Sequence, residues 1–407
     1  MKTKFILTIV HLCLTVFLTA QETKESAFKF KWDNGFKIES ADKQHKFKFG
    51  GRIMLDHVYL NQNNKLDASF GALETTNGTE IRRARFFASG TIYENIEFKL
   101  QSDFAGGEVI LKDAYIGLKN IPFVGNLRIG HVKEPFRLEM MTSSKYISFM
   151  ERSFAEGFLP VRNNGIIFFN NFLEKKLSIQ FGYFRNADGD TADNKSANDG
   201  YSLTGRATSL LINDVDSGQL WHVGAGFSRR KPASNEYKIT SRPESHIGPK
   251  YLNTGAISDA DKINFTNFET AFITGSLALQ GEYLRANIDL KNSSTDYSFT
   301  SYYAQASYFL TGESRNYKSS YGGFGRVKPI NNFSGENKGC GAWEVALRYS
   351  HSDMNSEDVL GGEQSDVTLG VNWYLNPATR IVLNHVWANI ENAGKASVFQ
   401  VRFQIDF

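Results

Sequence analysis

The sequence predicts an all-β protein: a closed antiparallel transmembrane β-barrel of about sixteen strands, with constriction loops folded into its bore. Three observations predict it. Segments of roughly ten residues alternate apolar and polar side chains all the way to the C-terminus, separated by turn residues. Aromatics such as Trp221, Tyr283, Tyr302, Tyr308, Trp343, Tyr349, Trp373 and Trp387 gather near segment ends, where a girdle at the lipid–water boundary would place them. The face opposite the apolar one is polar and glycine-rich, which suits a water-filled bore better than the second sheet of a soluble sandwich.

The first element is a targeting segment. In "MKTKFILTIVHLCLTVFLTAQ", Lys2 and Lys4 precede an apolar stretch from Phe5 to Leu18, and Ala20-Gln21 offers a cleavage point. Residues 1–20 are therefore expected to be a signal peptide, followed by an N-terminal periplasmic segment at 21–44 and the barrel at 45–407. The bulky Leu12 before Cys13 argues against lipoprotein processing. Removing this segment takes Lys2, Lys4 and Cys13 with it, lowering the formal charge from +3 to +1 and leaving Cys340 alone. One thiol makes no intramolecular disulfide and supports no metal or redox centre, so no cofactor and no metal are expected. Near-neutral charge also argues against nucleic acid as a partner.

Strands are read at 46–60, 80–92, 95–104, 108–119, 124–134, 162–172, 175–186, 200–212, 219–230, 267–276, 277–289, 298–310, 341–353, 364–375, 379–390 and 396–407. The last is the cleanest. In "SVFQVRFQIDF", Phe399, Val401, Phe403, Ile405 and Phe407 alternate with Gln400, Arg402, Gln404 and Asp406. An apolar stripe that runs to the terminal residue makes sense if this strand pairs with the first, "KFKFGGRIMLDHVYL", and leaves no sheet edge in lipid. Segment 162–172, with "GIIFF", alternates poorly.

Connections after odd strands should be the long outer loops, at 61–79, 135–161, 187–199 and 231–266, and "IYEN" and "ITGS" read as tight turns. Two connections are unusual. Residues 131–162 are too apolar for a solvated loop, as expected of a segment packed inside the barrel, and carry Lys133, Arg137, Lys145, Arg152 and Arg162. Residues 311–340 follow the twelfth strand, where a short turn belongs, so thirty mostly polar residues must be disordered or fold up into the bore.

Several long motifs resemble the phosphate-selective porin O and P family. They are "GHVKEPFRLEMMTSSKYISFMERSFAEGF", "FLTGESRNYKSSYGGFGRVKP…GAWEVALRYSHSD", "NGFKIESADKQHKFKFGGRIMLD" and "RRARFFASGTIYENIEFKLQSDFAGGEVILKDAYIGLKN". The resemblance covers about residues 34–407 and implies a homotrimeric outer-membrane porin whose inward loops narrow the channel and bind small anions such as phosphate or polyphosphate. It also implies pore-lining roles for Arg82 and Arg83, and for Lys133, Arg152, Arg315, Lys318, Arg326 and Lys328 within matched motifs. A basic second inward loop is implied for 187–266, where Arg229, Arg230 and Lys231 are the only cluster.

Parity supplies independent candidates. If Ala84, Phe86 and Ala88 face lipid, Arg83 and Arg85 face the bore, whereas Arg82 falls on the opposite parity and would snorkel to the interface. Lys99 and Arg348 also point inward by pattern, together with Glu97, Asp103 and Glu344, so paired charges across the bore compete with anion binding as an explanation. With Arg137, these complete the candidate pore-lining set. Two other functions fit a barrel: a general or sugar-conducting porin without anion preference, and an outer-membrane enzyme. The histidines, His45, His57, His131 and His385 among them, show no ordered partnership with a nucleophile, so no enzyme is expected.

Overall fold

The computed structural model describes residues 27–159, 161–185, 200–214, 216–233, 235–293, 295–335 and 339–407. The expected signal peptide at 1–20 and the outer connection at 187–199 lie outside the described residues.

Sixteen strands close one antiparallel sheet. They are β1 (Lys46–Gln62), β2 (Asn77–Ile92), β3 (Ile96–Asp103), β4 (Ile110–Ile121), β5 (Gly125–Lys133), β6 (Arg162–Phe172), β7 (Leu177–Arg185) and β8 (Tyr201–Asp214). The circuit continues through β9 (Gln219–Lys231), β10 (Ala260–Thr274), β11 (Leu277–Leu290), β12 (Asp296–Phe309), β13 (Ala342–Ser356), β14 (Val359–Asn376), β15 (Thr379–Ile390) and β16 (Gly394–Asp406). Strand β16 pairs with β1 from Ala396↔Gln62 to Asp406↔Arg52, and Phe407 exchanges main-chain hydrogen bonds with Gly51. No sheet edge is left along this seam.

The burial pattern is inside out relative to a soluble protein. Along β16, Gln400, Arg402, Gln404 and Asp406 are buried while Phe399, Phe403 and Ile405 are exposed. Along β13, Glu344, Arg348 and Ser350 are buried while Leu347 and Tyr349 are exposed. Trp221, Tyr283, Tyr302, Tyr308, Tyr349 and Trp387 all stand on the exterior. Such a cylinder is stable only where hydrocarbon covers its apolar exterior.

Turn chemistry agrees with the sequence. The β10–β11 hairpin needs a positive φ between Thr274 and Leu277, and Gly275 supplies it at 53°. Strand starts fall within three residues of those expected except in two places: β10 begins at Ala260 rather than 267, and β14 at Val359 rather than 364. Within the expected spacer at 21–44, Phe28–Trp32 and Phe36–Ser40 form a hairpin. Its second strand pairs with β1 from Phe36↔Phe49 to Glu39↔Lys46, so it covers the length of β1 that β16 does not reach.

The wall is uneven. Strands β3, β5 and β7 have 8, 9 and 9 residues, whereas β13 and β14 have 15 and 18. A lysine on the lipid face of a barrel costs about 2–4 kcal/mol near the bilayer midplane. Leu369→Lys, central among the outward-facing Ser365, Val367, Leu369, Val371 and Trp373 of β14, is therefore expected to lower folding stability in lipid by about that amount, measured by denaturant titration in vesicles, whereas Phe172→Lys at the end of β6 costs roughly 0–1 kcal/mol.

Candidate functional site

Three connections fill much of the bore. The first, 134–161, carries a short helix, α1 (Leu138–Met141), and buries Phe136, Leu138, Met140, Phe149, Met150, Phe154 and Phe158. Phe136, Met140 and Phe158 pack against Phe265, Leu284, Ile288 and Phe299 of β10–β12, so part of the inner wall here is apolar. Wall guanidiniums hook the loop backbone. Arg380 donates to the Ile147 carbonyl at 2.8 Å, Arg348 to that of Glu151 at 3.1 Å, and Arg402 also binds the Met150 carbonyl.

The second is the 310–341 connection. It folds up into the bore, its short hairpin Tyr317–Lys318/Gly323–Phe324 docking where the Phe324 N–H donates to Thr142 Oγ1 at 3.1 Å. The third, 232–259, crosses from β9 and β10 to the opposite wall: Tyr251 donates to Gln62, and Ile247 joins Val58 and Leu60. Its central charge is Glu244, which accepts from Arg348, Ser350 and Thr368. The resemblance implied a basic loop here; instead Lys238, Arg242 and Lys250 are balanced by Glu236, Glu244 and Asp259. Of the cluster at 229–231, Arg229 is exposed and Arg230 pairs with Glu134.

These loops crowd β8–β16 and leave a chamber of about 720 Å³ beside β1–β7. Its lining includes Arg52, Arg83, Arg85, Lys99, Lys112 and Arg128, with Lys133, Arg152 and Arg162. Only two carboxylates join these nine cations in the lining, Asp113 and Glu156. Lys99 and Arg162 share Asp113 at 2.6 and 2.8 Å, Arg85 pairs with Asp103 at 2.6 Å, and Arg128 with Glu97 at 2.6 Å. Arg52 and Lys133 differ. Arg52 donates to the Ser144 and Ser143 hydroxyls at 2.8 and 3.4 Å, and Lys133 to the Met140 carbonyl at 2.7 Å. Neither forms an ion pair with a carboxylate among the described residues. Arg52, Lys99 and Ser143 also line a second space of about 740 Å³, which continues past Lys48 and Lys145 to Lys31 and Lys37 of the N-terminal hairpin.

Five sequence candidates meet at the chamber: Arg83, Arg85, Lys99, Lys133 and Arg152. Six do not. Arg137 is enclosed with Glu139 and Glu282, and Arg348 with Glu139 and Glu244. Arg315 holds the Tyr146 carbonyl and lies near Glu344 at 3.6 Å, while Arg326 binds Asp406 and the Pro377 carbonyl. For these four the salt-bridge explanation holds, because each is needed to satisfy a loop backbone or a buried carboxylate. Lys318 and Lys328 are exposed on the 310–341 connection, outside the chamber lining.

Arg82 corrects the parity argument. Strand β1 pairs Met54 with Arg83 and Leu55 with Ile81, so Arg82 is the extra residue of a β-bulge. The bulge turns both guanidiniums inward: Arg82 Nε reaches Glu151 at 2.9 Å, and Arg83 lies 3.7 Å from the same group. Burial alone would raise the Glu151 carboxyl, but Arg82, Arg83 and Arg402 hold it well below the ordinary glutamate range. Arg52, Lys112 and Arg128 were missed as site residues, yet apolar neighbours of the opposite parity flag two of them, Ile53 and Leu55 after Arg52, Leu127 and Ile129 around Arg128.

The cylinder, its outward apolar band and its polar-lined bore define an outer-membrane porin. The chain belongs to the phosphate-selective porin O and P family, whose model matches residues 47–407. Porin O of Pseudomonas aeruginosa is 27% identical over 404 residues, covering 89% of this chain and 87% of that protein. Among solved structures, the anion-selective porin from Comamonas acidovorans superposes with a TM-score of 0.55 at 14% identity, covering 89% of this chain and all of that one. The outer membrane channel DcaP of Acinetobacter baumannii gives 0.56 at 10% identity, covering 91% and 99%. At these identities the two structures speak for the fold alone.

Lys145 connects charge to pH. Burial pushes its ammonium down to about 8, opposed by Asp406 of β16 at 3.0 Å and assisted by Arg52 of β1 and Arg326 of the 310–341 connection. Tyr146 lies beside it. Below that pH the amine is charged; above it, the second space loses one positive charge. Chloride-over-potassium permeability is expected to fall as pH rises through this value, and Lys145→Met to flatten the change, as read from reversal potentials in planar bilayers.

Proposed function

We propose that this porin selects small anions, phosphate-bearing solutes among them, at the chamber beside β1–β7. The single observation that carries the reading is that, in a lining with nine cations, Arg52 and Lys133 donate to serine hydroxyls and a main-chain carbonyl and form no ion pair with a carboxylate among the described residues. A unit-charge pair 4 Å apart is worth about 1 kcal/mol in bulk water and about 4 at an effective dielectric near 20. Charges around a confined path therefore outweigh the small net charge of the whole chain. Guanidinium forks and the Ser143 and Ser144 hydroxyls offer a tetrahedral anion several donors at once. Spreading those donors from the chamber to the hairpin lysines keeps each site weak enough for the solute to leave.

The same reading takes the chain as a homotrimer in outer-membrane lipid, exported through a signal peptide at 1–20, with 21–44 on the periplasmic side. It assigns a channel and no enzymatic activity, and it invokes no cofactor. The family description supports it, and Porin O is similar to this chain over most of its length.

Reversal potentials in asymmetric potassium chloride, with and without inorganic phosphate, test it. The expected result is chloride preference and a chloride current that phosphate blocks. Arg52→Gln removes charge-assisted bonds worth about 1.5–3 kcal/mol, so the half-blocking phosphate concentration should rise roughly tenfold or more. Lys133→Gln should act in the same direction. Permeability ratios near one would replace this reading with a general or sugar-conducting pore.

A further inference from the structure

We propose that the chamber is shaped for organic anions, taking an aryl or alkyl phosphate whose apolar body lies on an apolar patch of the inner wall. This rests on the anion reading above and deepens it.

The observation begins with "GIIFF" on β6, the segment that lacks alternation. Both of its faces are apolar. Ile166 and Phe168 are exposed on the exterior, while Ile167 and Phe169 point into the bore and line the chamber. Tyr115 and Leu111 of β4 join them in that lining. Phe169, Tyr115 and Leu111 stay half-buried, whereas Phe265, Leu284, Ile288 and Phe299 of β10–β12 are closed over by the first loop.

An apolar surface facing water inside a channel is unfavourable unless something covers it during function. Part of it has a structural role: Val132, Ile167 and Phe184 pack together, and the Arg128 guanidinium lies 4.8 Å from the Tyr115 ring and 4.5 Å from that of Phe169. That role does not involve Leu111 and leaves the two rings half-buried. The chamber's 720 Å³ also falls within the range of about 300–1,000 Å³ typical of sites for organic ligands. A bare tetrahedral anion at Arg52 would leave the patch against water. An aromatic or aliphatic ester of the same anion would cover it while its charged end stays among the guanidiniums.

The test compares block of chloride current by methyl phosphate and phenyl phosphate in planar bilayers, at a pH where both are dianions. Phenyl phosphate is expected to block at about tenfold lower concentration. In Phe169→Asn and in Leu111→Asn, the ratio of the two half-blocking concentrations should fall towards one; two variants are needed because Phe169 also supports Arg128. Equal block of the wild type by both esters overturns this inference and leaves the anion reading standing. A ratio that persists in both variants overturns it too. Failure of both esters to block, with permeability ratios near one, removes the anion reading itself.

Discussion

Everything in this molecule depends on the backbone of sixteen strands finding all its hydrogen-bond partners within one ring. In hydrocarbon an unpaired N–H or C=O has no water to turn to, so an open sheet edge is forbidden. The pairing of β16 with β1, from Ala396↔Gln62 to Asp406↔Arg52, closes the ring, and the N-terminal hairpin pairs with the stretch of β1 that β16 leaves. Once closed, the cylinder must put apolar side chains outside and polar ones inside. The bore then holds so many charged groups that something has to neutralise them.

Neutralisation divides the bore into two halves of different character. Against β8–β16, arginines are bound to carboxylates or loop carbonyls: Arg137, Arg348, Arg380 and Arg402 are among the largest fully buried side chains. Removing one partner of such a pair leaves a buried charge unpaired and costs several kcal/mol, so these residues hold the loops in place. Beside β1–β7 the loops leave room, and cations outnumber carboxylates. The same residue type thus does two jobs, and its surroundings decide which.

Legibility in sequence followed the same division. Alternation in "SVFQVRFQIDF" or "WEVALRYS" exposed strand, face and closure, because lipid on one side and water on the other impose period two. The start of β10 escaped because its first residues reverse the pattern: Ile263 and Phe265 point inward against the constriction loop, while Lys262 is exposed. Period two persists there in opposite phase, which reads as a loop. Arg82 escaped because one bulged residue shifts parity and no local residue announces it. Arg315 and Arg326 were placed in the pore by family position, yet their partners, the Tyr146 carbonyl and Asp406, are 169 and 80 residues distant in the chain. Pairings over such separations leave no mark in local pattern.

The contrast between Arg52 and its neighbours shows why counting cations is a poor guide to selectivity. Arg85, Lys99, Arg128 and Arg162 each carry a carboxylate within 2.8 Å, so an incoming anion gains from them only what that carboxylate does not already take. Arg52 donates to neutral serine hydroxyls, and Lys133 to a main-chain carbonyl. Neutral acceptors satisfy donor geometry without pairing the charge, so the field of these two groups remains available to the solute while their side chains stay fixed, tempered at Arg52 by Asp406 across the strand pair. A carboxylate in place of Ser144 would hold Arg52 equally well and extinguish that field. Selectivity in this bore therefore lies less in how many basic residues face the path than in which of them are anchored by uncharged partners.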